Sequence, residues 1–136
     1  MKVIITDDSI IMRNILREAL EAEEIEVSGE AVNGKKAVEL NRETDADAMI
    51  MDINMPIMNG LEATKIIMKE KPLPIVVFSN EVDPNMSFEA LRYGAVEVIR
   101  KPDIDAFNNP NYMKEFIKKL RAVSPVSYTH LTLPTN

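Results

Sequence analysis

Five short runs rich in apolar and β-branched residues recur along the chain, each followed by a segment of helical period, and this alternation narrows the folds open to it. The runs are Val3-Ile4-Ile5, Ile25 to Val32, Ala48 to Met51, Ile75 to Phe78 and Val96 to Ile99. Such lengths suit strands rather than helices. The first helix is expected after Ser9, a good N-cap, with Ile11, Ile15, Leu16 and Ala19 at helical spacing. A second follows Gly34, with Ala37, Val38 and Leu40, and a third follows Asn59-Gly60, with Leu61, Thr64, Ile67 and Met68, ending before Pro72. The fourth runs from about Asn85 to Gly94, a residue suited to a helix end, and the fifth starts near Asn111 with Met113, Phe116, Ile117 and Leu120.

Strands joined through helices require right-handed crossovers and a mostly parallel sheet covered on both faces. The first and third strands are nearly continuous apolar runs, as central strands buried on both faces must be, whereas "IEVSGEAV" is more polar and reads as an edge. The expected fold class is α/β: a flavodoxin-like, doubly wound, five-stranded parallel sheet of (βα)5 type, in the strand order 2-1-3-4-5. Such sheets bind ligands beyond the carboxyl ends of their strands, at the switch point.

With 136 residues, 46% of them hydrophobic, the chain suits one globular domain. A formal net charge of -6 argues against a broad grip on nucleic acid phosphates. Without cysteine there are no disulfides or thiolate metal sites, and no stretch resembles a signal peptide or a membrane span. The cytoplasm is therefore the expected location. The end, "PVSYTHLTLPTN", has no usable period and holds the only histidine, His130. The domain is expected over 1–123, with 124–136 as a disordered or non-native tail in which His130 has no role.

Chemistry-bearing residues stand where the apolar runs stop. Asp7 and Asp8 end the first, Asp52 the third, Ser79 the fourth and Lys101 the fifth. Carboxylates gathered at one sheet edge repel, and cannot all stay ionised unless a cation or proton intervenes. Asp7 and Asp8, with a backbone carbonyl beyond the third strand, offer oxygen ligands that suit Mg²⁺. Asp52 then reads as a nucleophile able to attack a phosphoryl group and form an acyl phosphate. Lys101 is a point charge that pairs with Asp52 and later with phosphoryl oxygens, and Ser79 supplies a hydroxyl to another of them. A cis Lys101-Pro102 bond is one way of aiming the lysine.

Taken together, "DDS" at 7–9, "MDINMPIMNG" at 51–60, "VVFSN" at 76–80 and "GAVEVIRKP" at 94–102 resemble the receiver domain of two-component response regulators. The resemblance covers residues 1 to about 123. It implies Asp52 as phosphoacceptor, Asp7 and Asp8 as the Mg²⁺ pair with Asp52 as a further carboxylate ligand, Asn54 as a backbone carbonyl ligand, Ser79 as the switch hydroxyl and Lys101 as the family's lysine. Asn54 and Glu81, two residues beyond Asp52 and Ser79, would tune water access and phosphate lifetime. A histidine kinase of the chemotaxis type is the implied phosphodonor, and the fourth helix, fifth strand and fifth helix the implied output face. Many receivers carry Tyr or Phe three residues before the lysine, and here the residue is Val98. Signalling through Ser79 and the segment Asn80 to Tyr93, with weaker coupling, is the expectation that follows.

The stretch from Gly94 to Ala122 further resembles receivers attached to the chemotaxis methylesterase, whose esterase serine and histidine have no counterpart after Leu120. A truncated two-domain regulator and a stand-alone receiver both fit. Bland readings exist for each piece: Asp-Asp pairs often occupy solvated turns, and the nine methionines suit core filling. A metal-binding α/β partner domain without phosphotransfer remains open. So does an Asp-nucleophile phosphatase, although the dehalogenase type wants Asp-x-Asp at the first strand. A flavodoxin would want a Ser/Thr/Gly phosphate loop where this chain has carboxylates, and a cobalamin module a loop histidine.

Overall fold

The structure, a computed structural model, describes residues 1–124. Residues 125–136, including His130 and most of the expected tail, lie outside the described residues. Ser124, the first residue of that expected tail, is buried and follows the last helix as its C-cap.

Five strands form one parallel sheet in the order β2-β1-β3-β4-β5: β1 Lys2–Thr6, β2 Glu26–Ala31, β3 Ala48–Met51, β4 Ile75–Ser79 and β5 Glu97–Arg100. Every residue of β3 and β4 is buried, as is β1 after Lys2, because these strands have neighbours on both sides and helices on both faces. β2 and β5 are the edges and are only partly buried. The helices are α1 Ile10–Ala22, α2 Gly34–Glu43, α3 Gly60–Glu70, α4 Pro84–Arg92, α5 Ile104–Phe107 and α6 Pro110–Val123.

Alternation along the strands divides the core in two. Ile4, Met49, Met51, Ile75 and Val77 pack with Ala37, Val38, Ala63, Ile67 and Ala90 of α2, α3 and α4. Val3, Ile5, Ile50, Val76 and Phe78 point the other way, against Leu16 and Leu20 of α1 and Met113, Phe116, Ile117 and Leu120 of α6. Among the described residues no helix is long and apolar enough to cross a membrane.

The helix starts lie at the carboxyl edge of the sheet, and five of the six are fixed by a side-chain cap. Ser9, Asn33, Asn59, Asp83 and Asn109 each accept a backbone N–H from the first turn of the helix that follows. The loops entering α1, α3 and α4, which carry the site, are therefore held close to the sheet. At the far end of α4, Gly94 has φ +116, the conformation expected of a glycine terminating a helix.

The short helix α5 is a departure from the expected pattern. A single turn between Pro102 and Pro110 is too short to show a helical period, and it forms because Phe107 finds aromatic neighbours. Its ring meets Phe78 edge-on at 6.2 Å and Tyr112 at 5.7 Å. The Lys101-Pro102 bond is trans, since the described residues contain no cis peptide. Trans is the cheaper isomer, and the lysine is aimed instead by the ladder: its N–H donates to the Ser79 carbonyl at 2.8 Å.

Candidate functional site

Strand register brings the site together. Thr6 is opposite Met51 across β1 and β3, so the next residues, Asp7 and Asp52, leave the sheet side by side. The Asp52 N–H donates to the Thr6 carbonyl at 2.9 Å, tying the two strand ends. Carboxylate oxygens of Asp7, Asp8 and Asp52 all lie within 4.8 Å of one another. Asp7 and Asp52 are buried, and Asp8 is exposed.

Lys101 comes in from the end of β5 and bridges the two buried carboxylates. Its Nζ lies 2.7 Å from Asp7 Oδ2 and 3.3 Å from Asp52 Oδ2. The sequence suggests pairing with Asp52; in the folded chain the shorter contact is to Asp7. Beneath the ammonium lies the Phe78 ring, 5.9 Å from Nζ to centroid. Asp7 Oδ1 accepts the Ser9 N–H at 2.9 Å, and Asp52 Oδ1 the N–H of Ile53 at 2.8 Å.

The Asp52 carboxyl is held above the ordinary aspartate range, chiefly because burial disfavours its ionised form. Lys101 opposes that effect, the Asp7 charge adds to it, and the Ile53 N–H and the Ser79 hydroxyl oppose it more weakly. Ser79 exerts its small influence from outside hydrogen-bonding geometry, because its Oγ is buried without a hydrogen-bond partner, as is Thr6 Oγ1. A buried hydroxyl without a partner is costly and marks a place where a ligand atom can be accommodated.

Three carboxylates face a single ammonium, so the fully ionised site carries a net charge of minus two. Hard oxygen donors in that number and spacing fit a divalent cation such as Mg²⁺ or Ca²⁺, and Mg²⁺ needs few protein ligands. Around the cluster, Asn54 is exposed and its Nδ2 donates to Glu81 Oε2 at 3.2 Å, linking the loops after β3 and β4. Val98 is half-buried and packs against the core on the α2, α3 and α4 side.

Two arginines near the site carry no expectation from sequence. Arg13 donates through Nη1 to the Asp7 carbonyl at 2.7 Å and through Nε to Glu30 at 2.9 Å, bracing the acidic strand end against β2. Arg100 donates to the Asn80 and Val82 carbonyls at 3.3 and 2.7 Å. A cation four residues past a cap and another beside Lys101 are visible in the sequence, but their carbonyl partners are set by the fold.

With this geometry in hand, similarity to known proteins is specific. The family described as "Response regulator receiver domain" matches residues 3–109. A protein-glutamate methylesterase/protein-glutamine glutaminase of Methanococcoides burtonii is 47% identical over 105 residues, covering 75% of this chain and 30% of that protein. The match spans about a third of the length of such curated relatives. Among solved structures, the response regulator domain of Thermotoga maritima CheB superposes with a TM-score of 0.83 at 35% identity, covering 90% of this chain and 95% of that one. The response regulator TrrA of Thermotoga maritima, solved in complex with Mg²⁺ and BeF, has a TM-score of 0.72 at 28% identity, covering 88% of this chain and 97% of that one.

Proposed function

The chain belongs to the response regulator receiver domain family, and from that premise we propose that Asp52 is its phosphoacceptor, charged by a histidine kinase to switch the segment after Ser79. The observation that carries this reading is the placement of a buried Asp52 carboxylate 3.3 Å from Lys101 Nζ and beside Asp7 and Asp8 in one cluster.

In the proposed reaction an Asp52 oxygen attacks the donor phosphorus, forming a P–O bond. The bond from phosphorus to the donor atom breaks, and that atom leaves with the electron pair. Lys101, released in part from the carboxylates, holds a phosphoryl oxygen, and the Ser79 hydroxyl donates to another. Lys101 is in place beside Asp52 before charge arrives, whereas the Ser79 hydroxyl is drawn to it together with the segment that follows. Asp7, Asp8, Asp52 and the Asn54 backbone carbonyl would hold Mg²⁺, which would supply charge neutralisation and orientation of the phosphoryl oxygens. Asn54 and Glu81, bonded to each other at 3.2 Å, would govern water access to the acyl phosphate and so its lifetime.

Because the similar proteins named above include methylesterases of which this chain matches about a third, we assign it to the chemotaxis type, working in the cytoplasm as a receiver module over residues 1–123. It catalyses its own phosphorylation and dephosphorylation and carries no separate enzymatic site in that span. A chemotaxis histidine kinase is the proposed donor, and α4, β5 and α6 the proposed output face. With Val98 in place of a switching ring, the response runs through Ser79 and the segment Asn80 to Tyr93. An Asp-nucleophile phosphatase is disfavoured, since β1 leads into Asp7-Asp8 and not Asp-x-Asp.

Incubation with Mg²⁺ and acetyl phosphate tests the assignment. The expected result is a mass increase of one phosphoryl group that is absent in Asp52→Asn. No adduct on the parent chain would overturn it and favour a partner-binding domain without phosphotransfer, and an adduct that survives in Asp52→Asn would overturn Asp52 as the acceptor.

A further inference from the structure

We propose that Arg100 is a positioning residue that latches the segment after Ser79 to β5 and so sets how readily that segment responds to a phosphoryl group, an inference that rests on the phosphoacceptor reading above. Arg100 is the register partner of Ser79 across β4 and β5. Its side chain then extends over the residues that follow Ser79: Nη2 donates to the Val82 carbonyl at 2.7 Å and Nη1 to the Asn80 carbonyl at 3.3 Å. One planar guanidinium thus binds two carbonyls of the same segment, a geometry that an ammonium cannot reproduce.

On its other side the segment is tied by Glu81, which accepts from Asn54 Nδ2 at 3.2 Å. Immediately before these ties stands Ser79, whose buried Oγ has no hydrogen-bond partner. The arrangement in which the Arg100 bonds are made is therefore the one in which the hydroxyl is unsatisfied. Drawing the hydroxyl toward a phosphoryl group on Asp52 pulls Asn80 to Val82 with it and stretches both bonds. A contact present in one arrangement and lost in the other biases the equilibrium by its own free energy. Val98 projects on the same face of β5, two residues earlier, but is a short apolar side chain packed into the core. Arg100 is the side chain of that face that bonds the segment.

The guanidinium is exposed, so the bias is modest. The test titrates the full chain, in Mg²⁺, with beryllofluoride as phosphoryl mimic and follows the amide resonances of Asn80 to Asp83. Arg100→Ala is expected to bind about twofold to fivefold more tightly than the parent, the range open to an exposed charged contact. Before any ligand is added, its amide signals should lie part-way along the line from the parent's free to its bound positions. Arg100→Lys, which reaches one carbonyl at a time, should fall between, and carries the same test should Arg100→Ala fail to fold. Equal or weaker binding by the variants, or shifts off that line, would overturn the latch. A parent chain that does not respond to beryllofluoride would instead overturn the phosphoacceptor reading.

Discussion

Asp52 illustrates how burial sets the behaviour of a single residue. Folding raises its proton affinity, chiefly by desolvation, so the folded chain binds this proton more tightly than the unfolded chain does. Its stabilising contribution is therefore full below the ordinary aspartate range and is lost as pH rises through the raised folded value. At neutral pH the ionised carboxylate is a net cost, which Lys101 offsets only in part. In metal-free buffer, Asp52→Asn should melt at a higher temperature than the parent at neutral pH, and the gap should close as pH falls below the aspartate range. Calorimetry across that range checks this, and a lower melting temperature for Asp52→Asn at neutral pH would mean that the Lys101 contact outweighs burial. The place of Asp52 at the end of β3 was legible in the sequence, from a carboxylate at the end of an apolar run. That Lys101 sits closer to Asp7 was not, because the division of one ammonium between two carboxylates depends on side-chain reach across β1, β3 and β5.

At the scale of an element, α3 shows why the chain places glycine where it does. A Cβ on Gly60 would lie 1.9 Å from the Asp52 carbonyl oxygen. That atom is backbone and cannot swing aside, so the first turn of α3 packs against the strand end that bears the site. Gly60→Ala should cost about 1–3 kcal/mol or more by chemical denaturation, as overpacking does, and should weaken phosphorylation by displacing Asp52. Wild-type stability for Gly60→Ala would show that the turn can retreat. The long helices were legible because each joins a capping residue to an apolar period, as in Ser9 with Leu16 and Leu20, or Asn59 with Ala63 and Ile67. The one-turn α5 was not, since four residues carry no period and its support is the tertiary contact of Phe107 with Phe78 and Tyr112.

For the whole molecule, closure of the second face of the sheet depends on α6. Phe116 packs at a tilt against Phe78 of β4 with ring centroids 4.7 Å apart, and is 3% exposed. Phe116→Ala should therefore cost about 3–5 kcal/mol, a large share of the roughly 5–15 kcal/mol by which a domain is stable, and shift the urea midpoint accordingly. A loss below about 1 kcal/mol would mean that the cavity collapses with little strain. Because Phe78 leads into Ser79 and its ring underlies Lys101, the same variant should also loosen the site.

The sequence by itself determined the alternation of strands and helices, the parallel sheet and the residue types at each strand end, because period, caps and apolar runs are local properties of the chain. Only the tertiary structure decided which of those ends meet and how they share charge. Register across β1, β3, β4 and β5, and the reach of Lys101, Arg13 and Arg100 to particular carboxylates and carbonyls, are products of long-range packing that no local pattern encodes.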